Sequence, residues 1–312
     1  MDVDPHVPGV SCPGHSAGPS AAGRTLAAVD DAVVDAMRLQ RVGNLHRRLA
    51  DLDRVLVAFS GGADSAFLLT AAARTIGAAD VIAATAVSPS LPATELAYAR
   101  EFADNLGVWH LTPHTDELSR DGYRANGGDR CYFCKAELLD TLAPIAAELG
   151  AVVLTGTNAD DAVAGFRPGI RAAQERGAQA PLRDAGLTKQ QIRDTSREWG
   201  LRTWDKPAAA CLSSRIAYGL QISSERLARV EAAEATVRLA LTAIGHQVSD
   251  LRVRDMGGGA ARIEISPQLV GVLRSQPVPL DGYDAVDVRE FRSGSMNDAL
   301  APYPVGSAAK KD

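Results

Sequence analysis

The sequence has no long hydrophobic run, few cysteines and few lysines. The first two shortages each exclude a class of protein. No apolar stretch reaches the roughly 18 consecutive residues that a membrane-spanning helix needs, so we expect no membrane contact. Four cysteines in 312 residues are too few for a disulfide-stabilised secreted fold. The first 24 residues contain no apolar core of a signal peptide, and the sequence therefore predicts a cytoplasmic protein.

The charge balance argues against a long nucleic acid as the main partner. Acidic residues outnumber basic ones by 38 to 33, and the formal net charge is -5. Proteins that bind long nucleic acids usually present strongly basic surfaces. Hydrophobic residues make up 46% of the chain and charged residues 23%, which is typical of globular proteins and excludes wholesale disorder.

Composition and periodicity divide the chain into four parts. Residues 1–25 and 301–312 are rich in small residues and proline, and we predict disordered tails there. Residues 26–219 are predicted to form an α/β domain. Residues 220–300 are predicted to form a smaller α+β domain.

Within the first predicted domain, short apolar runs alternate with segments of helical periodicity, which indicates βαβ units and a doubly wound parallel sheet. The predicted strands cover residues 54–59, 81–87, 108–112 and 152–155, and the predicted helices cover 26–50, 66–76, 92–106, 134–149 and 188–199. Residues 166–181 are predicted to form an irregular, mobile loop. The second part is predicted to contain helices at 223–244 and 267–275 and strands at 251–255, 261–265 and 285–288.

A glycine-rich loop at residues 60–65 follows the first predicted strand and precedes a helix. Its glycines let the backbone approach a ligand closely, and the helix N-terminus offers unpaired N–H groups to an anion. The spacing matches neither the P-loop of kinases nor the dinucleotide fingerprint. We predict a phosphate site in this phosphate loop, formed by Ser60, Gly61, Gly62, Asp64 and Ser65. The alternative is a tight turn in which Asp64 caps the helix.

A second motif, Gly-Thr-Asn-Ala-Asp-Asp, follows the fourth predicted strand at residues 156–161. Ligands of an open parallel sheet bind at the carboxyl ends of its strands. Asp160 and Asp161 could there hold a Mg²⁺ ion that bridges nucleotide phosphates, with Gly156 beside them. The alternative is that the two carboxylates only cap a helix at 160–165.

Three cysteines carry a possible metal site. Cys131 and Cys134 form a Cys-x-x-Cys pair at the start of a predicted helix, and Cys211 lies in a polar loop. The pair alone is compatible with zinc, an iron–sulfur cluster or a redox dithiol. Three thiols suit a [4Fe–4S] cluster with one iron open to an exogenous ligand, whereas zinc with a water or carboxylate fits less well. Unrelated buried thiols are the remaining alternative.

The phosphate loop and the 156–161 motif resemble those of the N-type ATP pyrophosphatases, which cleave ATP between its α- and β-phosphates and adenylate an oxygen atom of their substrate. Over about residues 30–300 the chain resembles one group of them, the LarE family of ATP-dependent sulfur transferases. The further motifs that carry this resemblance are Asp129-Arg-Cys-Tyr-Phe-Cys-Lys135, Arg167-Pro-Gly169, Pro181-Leu, Trp204-Asp-Lys-Pro207, Cys211-Leu-Ser-Ser-Arg215 and Arg292-Ser-Gly-Ser-Met-Asn297.

The resemblance implies an enzyme that makes the nickel-pincer nucleotide cofactor of lactate racemase. Such an enzyme uses ATP and Mg²⁺ to adenylate the carboxylates of pyridinium-3,5-biscarboxylic acid mononucleotide, and sulfur then displaces AMP to give thiocarboxylates. Some members sacrifice the sulfur of the cysteine that matches Cys211, and others transfer a sulfide held on a [4Fe–4S] cluster. All three thiols are present here, which favours the cluster type with sulfide or another sulfur donor as partner.

The resemblance and the anionic substrate together suggest further site residues. Asp64, Cys211 and Arg215 are the expected catalytic residues. Arg130 and Arg215, each near an expected cluster ligand, are candidate substrate anchors. Arg252 and Arg254, with Arg262, are weaker candidates for the substrate phosphate. A structural role is the alternative for each arginine, and a homo-oligomer is expected from the family.

Other functions share some of these features. A tRNA thiolase can combine a similar phosphate loop with three cysteines, but it needs a basic face that the charge of -5 does not favour. An ammonia-using ligase would leave the cysteines without a role. A nucleotide sensor with a metal centre would bind ATP without releasing pyrophosphate.

Overall fold

The computed structural model describes Met1 and residues 21–163, 167–207, 210–292 and 295–296. The helices are α1 (Ala21–Ala50), α2 (Ala63–Ile76), α3 (Ala93–Leu106), α4 (Asp121–Arg124), α5 (Arg130–Glu148), α6 (Ala159–Val163), α7 (Pro168–Glu175), α8 (Pro181–Asp184), α9 (Lys189–Glu198), α10 (Ser224–Ala243) and α11 (Pro267–Ser275). The strands are β1 (Val55–Ala58), β2 (Val81–Ala84), β3 (Trp109–Leu111), β4 (Val152–Thr155), β5 (Leu251–Gly257), β6 (Ala260–Ile265) and β7 (Ala285–Glu290). Three 3-10 helices cover Ala78–Asp80, Glu117–Ser119 and Leu212–Arg215.

The first four strands form one parallel sheet in the order β3-β2-β1-β4, with helices on both faces. The central strand β1 is buried throughout because its alternate side chains enter two different cores. Val55 and Val57 pack on one face against α1, α2 and α3, whereas Leu56 and Ala58 pack on the other face against α5. This arrangement confirms the predicted α/β class with a doubly wound parallel sheet.

A second, smaller sheet contains the last three strands in the order β5-β6-β7. Strands β5 and β6 are antiparallel, and β7 pairs with β6 in parallel. Its core combines Val237 and Leu241 of α10 with Leu269 and Leu273 of α11 and with Ile263 of β6. The result is an α+β unit, as the periodicity predicts.

The segment 211–222 connects the two sheets and packs against both units. Ala217 donates a backbone hydrogen bond to Asp255 of β5 at 3.0 Å. The buried Asn126 donates from its amide to the carbonyls of Ala217 and Leu220 at 2.9 and 3.0 Å. The segment is therefore held on both sides, and the predicted domain boundary near residue 220 stays a prediction.

The observed helices differ from the sequence-based prediction in three places. The predicted loop at 166–181 is wrong over 168–175, where α7 starts with proline and buries Ala172 and Ala173. Helix α8 begins at Pro181, where the predicted loop ends. Helix α5 begins at Arg130, four residues before the predicted start. Helix α1 begins at Ala21, inside the predicted tail, while residues 2–20 and 301–312 lie outside the described residues.

Helix α9 begins with a capping box, as its sequence predicts. The Thr188 hydroxyl accepts a hydrogen bond from the Gln191 amide at 3.3 Å, and the Gln191 side chain accepts one from the Thr188 amide at 3.2 Å. Two unpaired N–H groups are thereby satisfied at the start of a helix that, as shown below, lines the main cavity.

Replacing Thr188 by alanine should lower the free energy of unfolding by about 1 kcal/mol, because this cap is lost. Urea unfolding followed by circular dichroism measures the difference. The matched control is Thr236→Ala, because Thr236 lies exposed within α10 and alanine favours helix there. Equal losses in the two variants would contradict a special role for the cap.

Candidate functional site

A large cavity lies at the carboxyl ends of β1, β2 and β4, where ligands of parallel sheets bind. Its volume is about 790 Å³, enough for a nucleotide together with a second small molecule. The lining comes from both faces of the sheet, since α2 and α9 contribute from one side and α5 from the other. Four of the five predicted phosphate-loop residues line it, namely Ser60, Gly62, Asp64 and Ser65.

The phosphate loop leaves the start of α2 open to an anion. Gly61 has a φ of +72°, which favours glycine and turns the chain from β1 into α2. Gly62 precedes the helix and offers no side-chain cap to the first-turn N–H groups. Within the loop, the Ser65 hydroxyl donates to the Gly62 carbonyl at 3.1 Å and lies 3.2 Å from the Ser60 hydroxyl. The first turn of α2 is thus free to bind phosphate oxygens.

Gly156 lies directly against the first turn of α2. A Cβ atom added at this glycine would lie 2.9 Å from the backbone nitrogen of Ser65 and 3.1 Å from its Cα. No side chain fits there without moving the helix. The absence of a side chain therefore brings the end of β4 into contact with the phosphate loop.

The predicted acidic pair is divided between two tasks. Asp161 lines the cavity, whereas the Asp160 carboxylate accepts a hydrogen bond from the Lys189 amide at 2.7 Å and does not line it. The buried Asn158 accepts from the Asp161 amide at 3.0 Å, which is a helix-capping contact at α6. The role of Asp160 and Asp161 in holding Mg²⁺ stays a prediction.

Asp64 is the second carboxylate in the cavity. Its Oδ2 accepts a hydrogen bond from the Asn158 amide at 3.0 Å, and its buried Oδ1 has no partner among the described residues. Burial raises the pKa of Asp64, and the nearby Lys189 and the Asn158 hydrogen bond counteract part of that rise. An unpaired carboxylate oxygen beside Asp161 is a suitable donor set for Mg²⁺.

Four cations line the same cavity, and the sequence analysis missed all of them. They are Lys135, Lys189, Arg193 and Lys206. With two lining carboxylates, the cavity has an excess of positive charge although the whole chain is acidic. Such a site attracts anions. The scarcity of lysine is the sequence feature that could have identified these cations, because the chain has only five lysines and three of them line this cavity.

Lys206 stabilises the phosphate loop. Its ammonium donates to the Gly61 carbonyl at 3.0 Å and to Glu95 at 2.7 Å, and it lies 3.9 Å from the centre of the Tyr98 ring. These contacts fix the turn at Gly61 from outside the loop. The ion pair with Glu95 neutralises part of this cation's charge.

The three predicted cysteines lie in one neighbourhood. Cys131 and Cys134 occupy the start of α5, and Cys211 directly precedes the 3-10 helix Leu212–Arg215. Burial raises the pKa of Cys134, and the adjacent Cys211 raises it further. Solvent reaches Cys131. The pKa of its thiol is raised on balance, because the surrounding protein raises it by more than the nearby Arg130 lowers it. Among the described residues, no three Cys, His, Asp or Glu side chains are arranged to hold a metal ion.

Arg130 and Arg215 are buried and hold the backbone around Cys211. Arg130 donates to Asn126 at 2.6 Å and to the Ser213 carbonyl at 3.0 Å. Arg215 forms an ion pair with Glu234 at 2.9 Å and donates to the carbonyls of Ala210 and Cys211. Through these contacts both arginines stabilise the backbone next to the thiols. Their role as substrate anchors stays a prediction.

The remaining predicted arginines lie on the small sheet. Arg254 is buried, pairs with Glu264 at 2.8 Å and donates to the Ser214 carbonyl at 2.8 Å. Arg252 lies over the Phe291 ring at 5.6 Å, and burial together with the neighbouring Arg215 lowers its pKa. Phe291 lines the cavity, so Arg252 lies next to it without lining it. Arg262 lies 3.4 Å from Asp287.

Comparison with known proteins links the chain to a named enzyme. It is 34% identical to the pyridinium-3,5-bisthiocarboxylic acid mononucleotide synthase of Lactiplantibacillus plantarum, over 81% of this chain and 92% of that protein. It is 39% identical to the uncharacterized protein slr1717 of Synechocystis, over 83% and 98% of the two chains. It is also 26% identical to the uncharacterized protein MJ0830 of Methanocaldococcus jannaschii, over 72% and 82%. No protein-family model matches the chain.

None of the helices in the described part of the chain is both long and apolar enough to cross a bilayer.

Replacing Asp64 by asparagine should stabilise the protein at neutral pH. The raised pKa of Asp64 means that ionising the buried carboxyl opposes folding, so this cost appears as the pH rises through the window between its ordinary and its raised pKa. We expect a Tm gain of about 2 °C or more at pH 7 if the cost is about 1 kcal/mol, and a smaller gain at pH 4.

Thermal unfolding at several pH values measures this difference, with Asp51→Asn as a control at an exposed aspartate. A variant at Asp64 that is less stable than the wild type at pH 7 would show that the carboxylate has a compensating partner.

Proposed function

The chain belongs to the LarE family of sulfur transferases, and from this we propose that it adenylates the carboxylates of pyridinium-3,5-biscarboxylic acid mononucleotide with ATP and replaces AMP by sulfur. The relative from Lactiplantibacillus plantarum is named for the bisthiocarboxylic acid product, which supports a sulfur-inserting enzyme of nickel-pincer cofactor synthesis. One observation of the structure carries the proposal further. The phosphate loop lines the same cavity as Lys135 and Leu138 of helix α5, and Lys135 directly follows Cys134, although none of the three cysteines lines the cavity.

In the first step, a carboxylate oxygen of the substrate attacks the α-phosphorus of ATP and pyrophosphate leaves. The carboxylate needs this activation because its own leaving group would be oxide. The open N–H groups of α2, with Lys189 and Arg193, would hold the phosphate charge. Asp64 and Asp161 would hold Mg²⁺, which when bound neutralises charge on the phosphates.

In the second step, a sulfur nucleophile attacks the acyl carbon and AMP leaves with the bonding electron pair. The donor set of Cys131, Cys134 and Cys211 fits a [4Fe–4S] cluster chemically, and such a cluster when bound would supply a sulfide. Burial and the neighbouring thiol raise the pKa of Cys134, which keeps a free Cys134 thiol protonated at neutral pH. A free Cys134 is therefore a poor nucleophile, and as a cluster ligand it would have to lose its proton when the metal binds.

The alternative sulfur source is Cys211 itself. Its thiolate would form a thioester with the acyl group as AMP leaves. Loss of the Cys211 α-proton and cleavage of its Cβ–S bond would then release the thiocarboxylate and leave dehydroalanine. Arg215 and Arg130 fix the backbone on both sides of this residue. This route allows one turnover for each intact cysteine.

The proposal predicts that the two steps can be separated by Cys211→Ala. This variant should still release pyrophosphate when ATP and the pyridinium substrate are both present, because the phosphate loop is unchanged. It should form no thiocarboxylate, which mass spectrometry detects. Cys131→Ala, which removes a different thiol, is the variant with which Cys211→Ala is compared. Wild-type protein that releases no pyrophosphate with this substrate would refute the proposed reaction.

The sulfur source is tested by iron and acid-labile sulfide content after anaerobic purification. We expect about four irons per chain and their loss in Cys131→Ala. Protein made with full cluster-assembly support that still contains no iron would contradict the cluster. In that case, a mass loss equal to H₂S after one turnover would identify Cys211 as the donor.

A further inference from the structure

The lysines of this chain are concentrated in one place. The sequence contains 33 basic residues but only five lysines, two of which, Lys310 and Lys311, lie outside the described residues. The other three, Lys135, Lys189 and Lys206, all line the cavity. Elsewhere the described chain uses arginine for positive charge. Lysine offers a compact, strongly hydrated point charge in place of a planar fork, so the cavity contains a type of cation that the rest of the chain avoids.

Two of these ammonium groups already interact with protein groups. Lys206 is held by the Gly61 carbonyl and by Glu95. Lys189 lies close enough to Asp64 to lower the pKa of that carboxyl. Both therefore belong to the side of the cavity formed by the phosphate loop and α9.

Lys135 has no such partner. Within the described part of the chain it forms neither a hydrogen bond nor an ion pair, although it lies partly buried beside Cys134 in α5. It lines the cavity from α5, so an anion bound there can reach its ammonium. A cation that lines a cavity without a protein partner attracts an anionic group of a ligand.

The position of Lys135 indicates which part of a ligand it meets. Helices α2 and α5 pack on opposite faces of the sheet, so Lys135 and the first turn of α2 approach the cavity from opposite sides. The first turn of α2, Lys189 and Arg193 serve the phosphates. Lys135 directly follows Cys134, so it lies on the side of the cavity formed by the cysteine-bearing helix. The group that has to reach both sides is the carboxylate that becomes the acyl adenylate.

We propose that Lys135 is a catalytic residue that binds the substrate carboxylate through its ammonium, orients it toward the α-phosphorus and then stabilises the oxyanion formed when sulfur attacks. This inference rests on the proposed function. In the first step a carboxylate oxygen forms a bond to phosphorus as the bond to pyrophosphate breaks. In the second, sulfur bonds to the acyl carbon and the carbonyl electron pair moves onto oxygen beside Lys135. The carbonyl then re-forms as the bond to AMP breaks. Lys135 stays protonated throughout.

The test compares Lys135→Met with the wild type in substrate-dependent pyrophosphate release. We expect kcat/KM for the pyridinium substrate to fall about 10- to 100-fold, the size of one lost hydrogen bond to a charged group. The Kd of a non-hydrolysable ATP analogue should change less than threefold. Lys135→Arg should recover part of the loss because it keeps the charge. Arg171→Met removes an exposed cation of α7 and should leave the rate unchanged.

Folding is checked separately by thermal unfolding. Because the wild-type ammonium has no described partner, Lys135→Met should melt at the same temperature as the wild type or higher. A lower Tm would show that Lys135 has a structural partner and would overturn the inference. An unchanged kcat/KM in an active Lys135→Met protein would also overturn it, and an equal loss of ATP-analogue affinity would reassign Lys135 to the phosphates. Wild-type protein without substrate-dependent pyrophosphate release would instead refute the proposed function on which the inference rests.

Discussion

The contact between Gly156 and the first turn of α2 is the constraint on which the cavity depends. The end of β4 can lie against Ser65 only because residue 156 has no side chain. That contact brings the whole 156–161 segment beside the phosphate loop, where Asn158 reaches Asp64. The parallel sheet explains why the two segments are neighbours, since β1 and β4 are adjacent and end at the same edge. Glycine determines how closely they approach.

A second constraint comes from the small sheet, which helps to hold the segment that carries Cys211. Glu234 of α10 pairs with Arg215 and also accepts a hydrogen bond from the Val253 amide of β5 at 3.0 Å. Arg215 in turn binds the carbonyls of Ala210 and Cys211. The position of the third thiol relative to α5 therefore depends on residues from both units of the chain. This dependence gives the C-terminal unit a role in the site although the thiol precedes it in sequence.

The sequence predicts local structure well where one signal dominates. Strand β4 and helix α11 have the predicted bounds, and the capping box at Thr188 forms as expected. It fails at α7, a helix of only eight residues that opens with Pro168 and Gly169, and packing against α5 stabilises it. The pairing of buried arginines is also not encoded locally. The partner of Arg254 is Glu264, ten residues away on the neighbouring strand.

The cations of the cavity show why composition can locate a site that motifs miss. Lys135, Lys189 and Lys206 belong to different elements, and only the shared edge of the sheet brings them together. Many arginines of the described chain instead pair with carboxylates, as Arg38 does with Glu198 and Arg120 with Glu137.

Such pairing neutralises part of the arginine charge, while the cavity retains an excess of positive charge. An anionic ligand is therefore attracted to the cavity, where low-dielectric walls strengthen the field. The same excess would slow the departure of a tightly held pyrophosphate. The ion pair of Lys206 with Glu95 reduces that excess at the phosphate loop, and thus limits how strongly the loop retains its product.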